Sequence, residues 1–197
     1  MSNASSPPQA PARHGRAAAP LFALCLLLSL AAPTPAQSRR EHLTPEEIEL
    51  VRDNQTLDDR TGVFIKAAER RMLAVTNPSE AARSAAKDKE KWGELKGTRE
   101  QFFYDIGKIL DEAVVNIDDS AVHNPQSPLL RKSLYMLSQA AARILPELTR
   151  LRAGVQSEAE LDQLDRAIET AQEINDAAKE RGVGAEDLKV KPAKKAN

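Results

Sequence analysis

The sequence predicts an all-α fold: an antiparallel bundle of about four long helices plus a short N-terminal helix. Three observations predict it. Helix-start signals recur along the chain, and a heptad of apolar residues runs from Leu130 to Leu151. The composition is poor in aromatics, at 4%, and rich in Ala, Leu, Glu, Lys and Arg, as helical bundles are. The bundle domain is expected over 37–182, between a signal peptide at 1–36 and a disordered basic tail at 183–197.

The first segment stands apart from the bundle. Leu21 to Ala32 is a compact apolar run, preceded by Arg13 and Arg16 and followed by Thr34-Pro35-Ala36. That is the layout of a secretory signal peptide cut after Ala36. The run is shorter than the roughly twenty residues a spanning helix needs, and Pro33 and Pro35 stop it at once. The expectation is an exported chain, periplasmic or extracellular, with no membrane span after cleavage. Cys25 is the only cysteine and falls inside the signal core. Its neighbours Phe22 and Leu24 are too large for a lipobox, and the mature chain forms no disulfide. About 160 residues remain after cleavage, enough for one domain. With 28 basic and 29 acidic residues, the chain lacks the basic excess of a nucleic-acid binder.

The first helix starts at a capping box. Thr44 caps, Pro45 suits the first turn, and Glu47 stands three residues on, with Leu43 and Ile48 as a hydrophobic staple. Ile48 and Val51 are expected on its buried side. Asn54-Gln55-Thr56 weakens the helix, and Thr56 with Asp59 offers a new cap. Residues 45–76 therefore read as one bent helix or two, with Phe64, Ala67, Ala68, Met72 and Val75 on one face. The stretch LTPEEIELVRDNQTLDDRTGVFIKAAERRM resembles the opening of a group of uncharacterised, predicted-secreted bacterial helical proteins. That resemblance covers about the first third of the mature chain. It implies an exported helical domain and no assigned activity.

Asn77-Pro78-Ser79-Glu80 starts the next helix. Gly93 and Gly97 each cost about 1 kcal/mol inside a helix, and Thr98 with Gln101 is a further cap. Yet Ala81, Ala85, Trp92, Leu95, Phe102, Ile106, Ile109 and Ala113 keep one phase across both glycines. The phase predicts one long helix from Pro78 to about Asp118, its first half lightly packed. Asp119–Ser127 reads as a loop. Ser127 and Pro128 open the heptad helix, which carries Leu130, Leu134, Leu137, Ala141, Ile144, Leu148 and Leu151. Pro146 should kink it, and Gly154 with Val155 should end it in a Schellman turn. Ser157 and Glu160 cap the last helix, with Leu161, Leu164, Ile168, Ala171, Ile174 and Ala178 on its apolar stripe. Gly182 stops it. The connection at Val155-Gln156 makes these last two helices antiparallel neighbours.

Chemistry is sparse in this pattern. The mature chain has only His42 and His123, and no Glu-x-x-His, His-Glu-x-x-His or Cys-x-x-Cys-His, so no metal or haem ligand set is assigned. Asp119 and His123 would share a face only if the helix ran on, and Asn124-Pro125 argues against that. The paired acids Asp58-Asp59 and Asp118-Asp119 are the residue types of acid–base work, but helix capping and solvation account for them. Ser127, Ser133 and Ser138 have no histidine at triad spacing. Glu69-Arg70-Arg71 and Lys87–Lys91 read as solvated helix faces, and Lys189, Lys191, Lys194 and Lys195 as a solubilising tail. Phe102, Phe103 and Tyr104 cannot all face the core.

The function this supports is non-catalytic and cofactor-free: an exported helical module for protein–protein interaction or self-association. Its expected surface is Ala81, Ala85, Trp92 and Leu95. The alternative is a bundle holding a small apolar ligand against Phe102, Ile106, Tyr135, Met136 and Leu137. A third option is an enzyme without a recognisable motif.

Overall fold

The computed structural model describes residues 41–190. The expected signal segment, Cys25, the expected cleavage site after Ala36 and the lysines at 191, 194 and 195 lie outside them. Among the described residues the chain is all-helical, six α-helices packed together. They are α1 (Pro45–Asp53), α2 (Leu57–Thr76), α3 (Pro78–Trp92), α4 (Arg99–His123), α5 (Pro128–Leu151) and α6 (Glu158–Glu180), with 3-10 turns at Arg152–Gly154 and Ala185–Lys189.

Local signals place most helix starts. Thr44 and Glu47 close a reciprocal capping box at α1, and Thr98 and Gln101 close another at α4. Thr56 and Asn77 each accept one backbone N–H, and residues 45–76 form two helices separated at 54–56. Ser127 caps α5 through Leu129 N, and Ser157 caps α6 through Glu160 N. The Glu160 carboxylate does not return to the cap. It accepts from Gln156 N and pairs with Arg99.

The long helix expected over 78–118 is two helices. Gly93 adopts φ 68°, a left-handed conformation open chiefly to glycine, and it ends α3. The alanine-rich stripe was too weak a phase marker to outweigh that break. The α4 core face is Phe103, Ile106, Leu110, Ala113 and Ile117, so Phe103, not Phe102, is the buried ring and Phe102 is half-buried. Helix α4 also continues through 119–123, where a loop was expected, because Asn124 rather than Asp119 terminates it.

Two further boundaries differ. Gly154 sits in a 3-10 turn and lacks the positive φ of a Schellman turn. That turn is at the end of α6: Gly182 has φ 58°, Val183 N donates to Ala178 O, and Gly182 N to Lys179 O. The tail expected from Val183 instead packs as far as Val190. Asp187 is buried there, held by Arg131 from α5 and by Gly184 N. Helix α5 runs through Pro146 to Leu151. Pro146 and Ala142 are both exposed, so the Ala142 carbonyl that loses its helical donor is left facing water.

The four longest helices form a ring of neighbours, α2 beside α4, α4 beside α6, α6 beside α5, and α5 beside α2. Cross-links set their directions. Arg71 of α2 approaches Asp105 of α4, late residue to early residue, so these two run antiparallel. Arg131 at the start of α5 reaches the carbonyls of Arg181 and Gly182 at the end of α6, which is also antiparallel. Arg99 pairs with Glu160 and Gly107 packs on Ala167, so α4 and α6 are parallel. Helices α2 and α5 are parallel too, through Asp58–Lys132 and Glu69–Arg143. The antiparallel packing expected from the sequence is thus found for α2/α4 and for α5/α6, while α4/α6 and α2/α5 are parallel neighbours. The short 124–127 loop joins helices across the ring rather than along it.

The core lies inside this ring. Leu137, Ala141, Ile144 and Leu148 of the α5 heptad meet Phe64, Ala67 and Ala68 of α2, with Leu164, Ala167 and Ala171 of α6 closing the other side. Helices α1 and α3 pack outside the ring on α2 and on one another.

Candidate functional site

Two features beyond the apolar core gather polar or accessible groups. The first is a charged knot beneath α1. The capping box fixes the Glu47 carboxylate, whose Oε2 accepts from Thr44 N at 2.9 Å. Its Oε1 accepts from Arg71 Nη1 at 2.5 Å and from Arg70 Nη1. Arg71 also donates to Ala67 O and His42 O, and its Nε lies 3.9 Å from Asp105 Oδ2. Arg70 donates to the carbonyls of Trp92 and Gly93 and stacks 5.7 Å from the Trp92 ring. His42 Nε2 meets Glu112 Oε2 at 2.5 Å. Glu47 and Arg71 are essentially inaccessible, and buried charges need such partners. The knot ties α1, α2, α4 and the end of α3 together. A cavity of about 590 Å³ lies over it, lined by both acids and bases, among them Glu41, Glu46, Lys89 and Lys96.

The second feature is an apolar groove of about 640 Å³ between the C-terminal halves of α4 and α6 and the start of α5. Its floor is Val114, Ile117 and Ala121 of α4, Leu130 and Leu134 of α5, and Ile174 and Ala177 of α6, with Val183 at one end. Asp111, Asp118, Glu173, Arg131 and Arg181 form the rim. Beside it on α4, Val122 is 80% exposed and Val115 58% exposed. The groove opens where α4 and α5 part to make room for the loop that joins them. Its volume is within the range of ligand sites, and its apolar floor is bordered by polar and charged side chains.

The sequence-predicted site residues do not line the groove, though Trp92 belongs to the charged knot and Leu95 lines the cavity over it. Ala81, Ala85, Trp92 and Leu95 are half-buried, since α3 folds back on α1 and α2 instead of extending from the bundle. Ile106 and Leu137 are fully buried core residues, while Phe102, Tyr135 and Met136 are half-buried. None of those five lines the groove. Asp119 and His123 share a helical turn, His123 Nδ1 lying 3.5 Å from Asp119 Oδ1, both exposed. Among the described residues no three His, Cys, Asp or Glu side chains are grouped to hold a metal ion.

Two carboxyls stand below their ordinary range. For Asp58, burial works to raise the value, but hydrogen bonds from Lys132 and Thr56 outweigh it. For Asp187, Gly184 N–H and then Arg131 hold the carboxyl down. Each shift combines a local hydrogen bond, from Gly184 N or Thr56, with a contact to α5. The groove itself was missed in the sequence because three helices build it. One signal was available: Val115 and Val122 stand seven apart on a helix whose core face lies elsewhere.

Comparison of the chain with family models, curated proteins and solved structures returns no match. Among the described residues no helix is long and apolar enough to cross a membrane.

Proposed function

We propose that this chain is an exported, non-catalytic helical module that docks an amphipathic helix of another protein in the α4/α5/α6 groove. The observation that carries the reading is the groove together with the valines beside it. Apolar floor and exposed Val115 and Val122 make one surface wider than a small molecule would cover, and accessible apolar patches mark interaction sites. Helix-in-groove recognition uses such a surface. The apolar run at Leu21–Ala32 with its Thr34-Pro35-Ala36 site supports export. The heptad of α5 is spent on the bundle's own core, so coiled-coil character serves folding rather than assembly. No cofactor and no nucleic acid enter the proposal.

A second reading keeps the same groove and fills it with a small apolar ligand, which its volume favours. Site-specific photo-crosslinking in the envelope fraction separates the two. A photoreactive residue at Val122 should capture a protein, and one at the exposed Lys66 of α2 should not. Ala121→Arg, at a half-buried position on the groove floor, should abolish the Val122 product while leaving the melting temperature unchanged. Equal capture at both positions, or insensitivity to Ala121→Arg, would rule out docking in the groove.

A further inference from the structure

We infer that the helix docked in this groove carries lysine or arginine along its flank, an inference that rests on the docking reading above. The rim charges do not cancel. Arg131 is already engaged by Asp187 and by the carbonyls of Arg181 and Gly182, so it does not offset the acids around it. Asp111 shares only an exposed contact with Lys108, at 3.6 Å. Asp118 and Glu173 are exposed and have no ion-pair partner among the described residues. Among the described residues Arg181 alone remains as a rim cation without an ion-pair partner. The mouth of the groove is therefore net acidic, and complementary charge sets which partners approach.

The arrangement along α4 specifies a helix rather than a compact ligand. Val114 and Ala121, Asp111 and Asp118, and Val115 and Val122 are three pairs, each seven residues apart. On a helix these form three nearly parallel rows: groove floor, carboxylates, exposed valines. A partner helix of about three turns lying along them buries apolar side chains on either side of the carboxylate row. It then needs a cationic flank to meet that row. A small amphiphile seated on the floor would leave Val122 uncovered. The chain's own residues 191–197 are basic, but their apolar side chains are only proline and alanine, too small to fill an apolar floor.

The test uses the purified protein and three synthetic helices of about eighteen residues. They share one leucine face and carry lysine, glutamate or glutamine elsewhere. The lysine peptide should bind at least about tenfold tighter than the glutamate peptide and shift the backbone amides of 111–122 and 173–181. Asp118→Lys with Glu173→Lys should reverse that order. Both positions are exposed, and circular dichroism checks that the variant stays folded. Equal binding of all three peptides in the groove would overturn the cationic flank and leave docking standing. Failure of every peptide to shift groove amides would overturn docking itself. A lysine preference that survives the double substitution would place the contact elsewhere. A rise of about tenfold in lysine-peptide affinity on deleting 191–197 would assign the groove to the chain's own tail and overturn the partner.

Discussion

Lys132 Nζ stands 2.6 Å from Asp58 Oδ2, both side chains largely shielded from water. Glu69 and Arg143 repeat the link at the same 74-residue separation, two turns or more along both helices. A constant separation requires α2 and α5 to run in the same direction. The two pairs differ in weight. Arg143 and Glu69 are exposed, where a pair contributes at most about 1 kcal/mol, whereas Asp58 is buried and its loss leaves Lys132 without its partner.

Acid should therefore weaken the bundle through Asp58 and Asp187. Each carboxyl is lower in the folded chain than its ordinary 3.8. A depressed carboxylate contributes stability above the unfolded value and loses it as pH falls through the lower folded one. The melting temperature should drop between about pH 5 and about pH 2. Asp58→Asn should melt below the parent at neutral pH, with the gap closing as pH falls. A gap that stays constant in paired melts across that range would show that the charge of Asp58 contributes nothing.

Removing Glu47 should be more damaging than removing any exposed acid. Arg71 is 2% exposed, and Glu47→Ala would leave it and Arg70 without their shared carboxylate. Breaking a buried pair from one side costs about 3–5 kcal/mol. Removing both charges costs less than stranding one, so Glu47→Gln with Arg71→Met should recover part of the loss of Glu47→Gln alone. Urea titration of Glu47→Gln, Arg71→Met and the double variant measures this. Strict additivity would mean that the two side chains do not interact energetically.

Much of this architecture was legible in local residues. Thr44, Thr56, Thr98, Ser127 and Ser157 all cap helices, because a cap depends on residues within three positions. The α5 heptad was legible because its leucines are large and evenly spaced. The Gly93 break was not, since the alanine stripe before it and the aromatic stripe after it share a phase by accident of spacing. Helix direction was legible only where a short connection fixes it, as between α5 and α6; elsewhere periodicity is the same read either way, and Asp58 gives no sign of Lys132. The groove depends on three helix ends meeting and has no motif of its own.

The heptad predicts its own test. Leu137 is 0% exposed and Ile144 4%, so truncating either to alanine should cost about 2–5 kcal/mol. Denaturant midpoints measured with an unchanged m-value would report it. Midpoints equal to the parent's would remove both residues from the core.

Two glycines should respond oppositely to alanine. Gly93 has a positive φ, and a Cβ there would collide with the Glu46 carboxylate and approach Thr44 Oγ1. Gly93→Ala should cost at least about 1 kcal/mol. Gly62 lies inside α2, and a methyl group added there would meet nothing within 4 Å, so Gly62→Ala should stabilise by about 0.5–1 kcal/mol. Thermal melts decide each, and a stabilising Gly93→Ala would contradict the left-handed backbone.

Helix α3 should be the least protected helix in the molecule. It has no fully buried residue, and its half-buried apolar residues are two alanines and Trp92, with Leu95 following. Local opening costs little where few apolar contacts are lost. What holds its end is polar: Arg70 donates to Trp92 O and Gly93 O, and Thr44 Oγ1 donates to Trp92 O. Arg70→Ala removes two of those three bonds and the guanidinium over the indole. Its amides at 81–92 should then exchange faster, and Trp92 emission should shift to the red, while protection in α4–α6 is unchanged. If exchange accelerates equally in α3 and α5, Arg70 supports the whole bundle rather than the α3 end. If α3 exchange does not change, the packing of Ala81, Ala85 and Trp92 is sufficient to hold the helix, and the carbonyl clamp is dispensable.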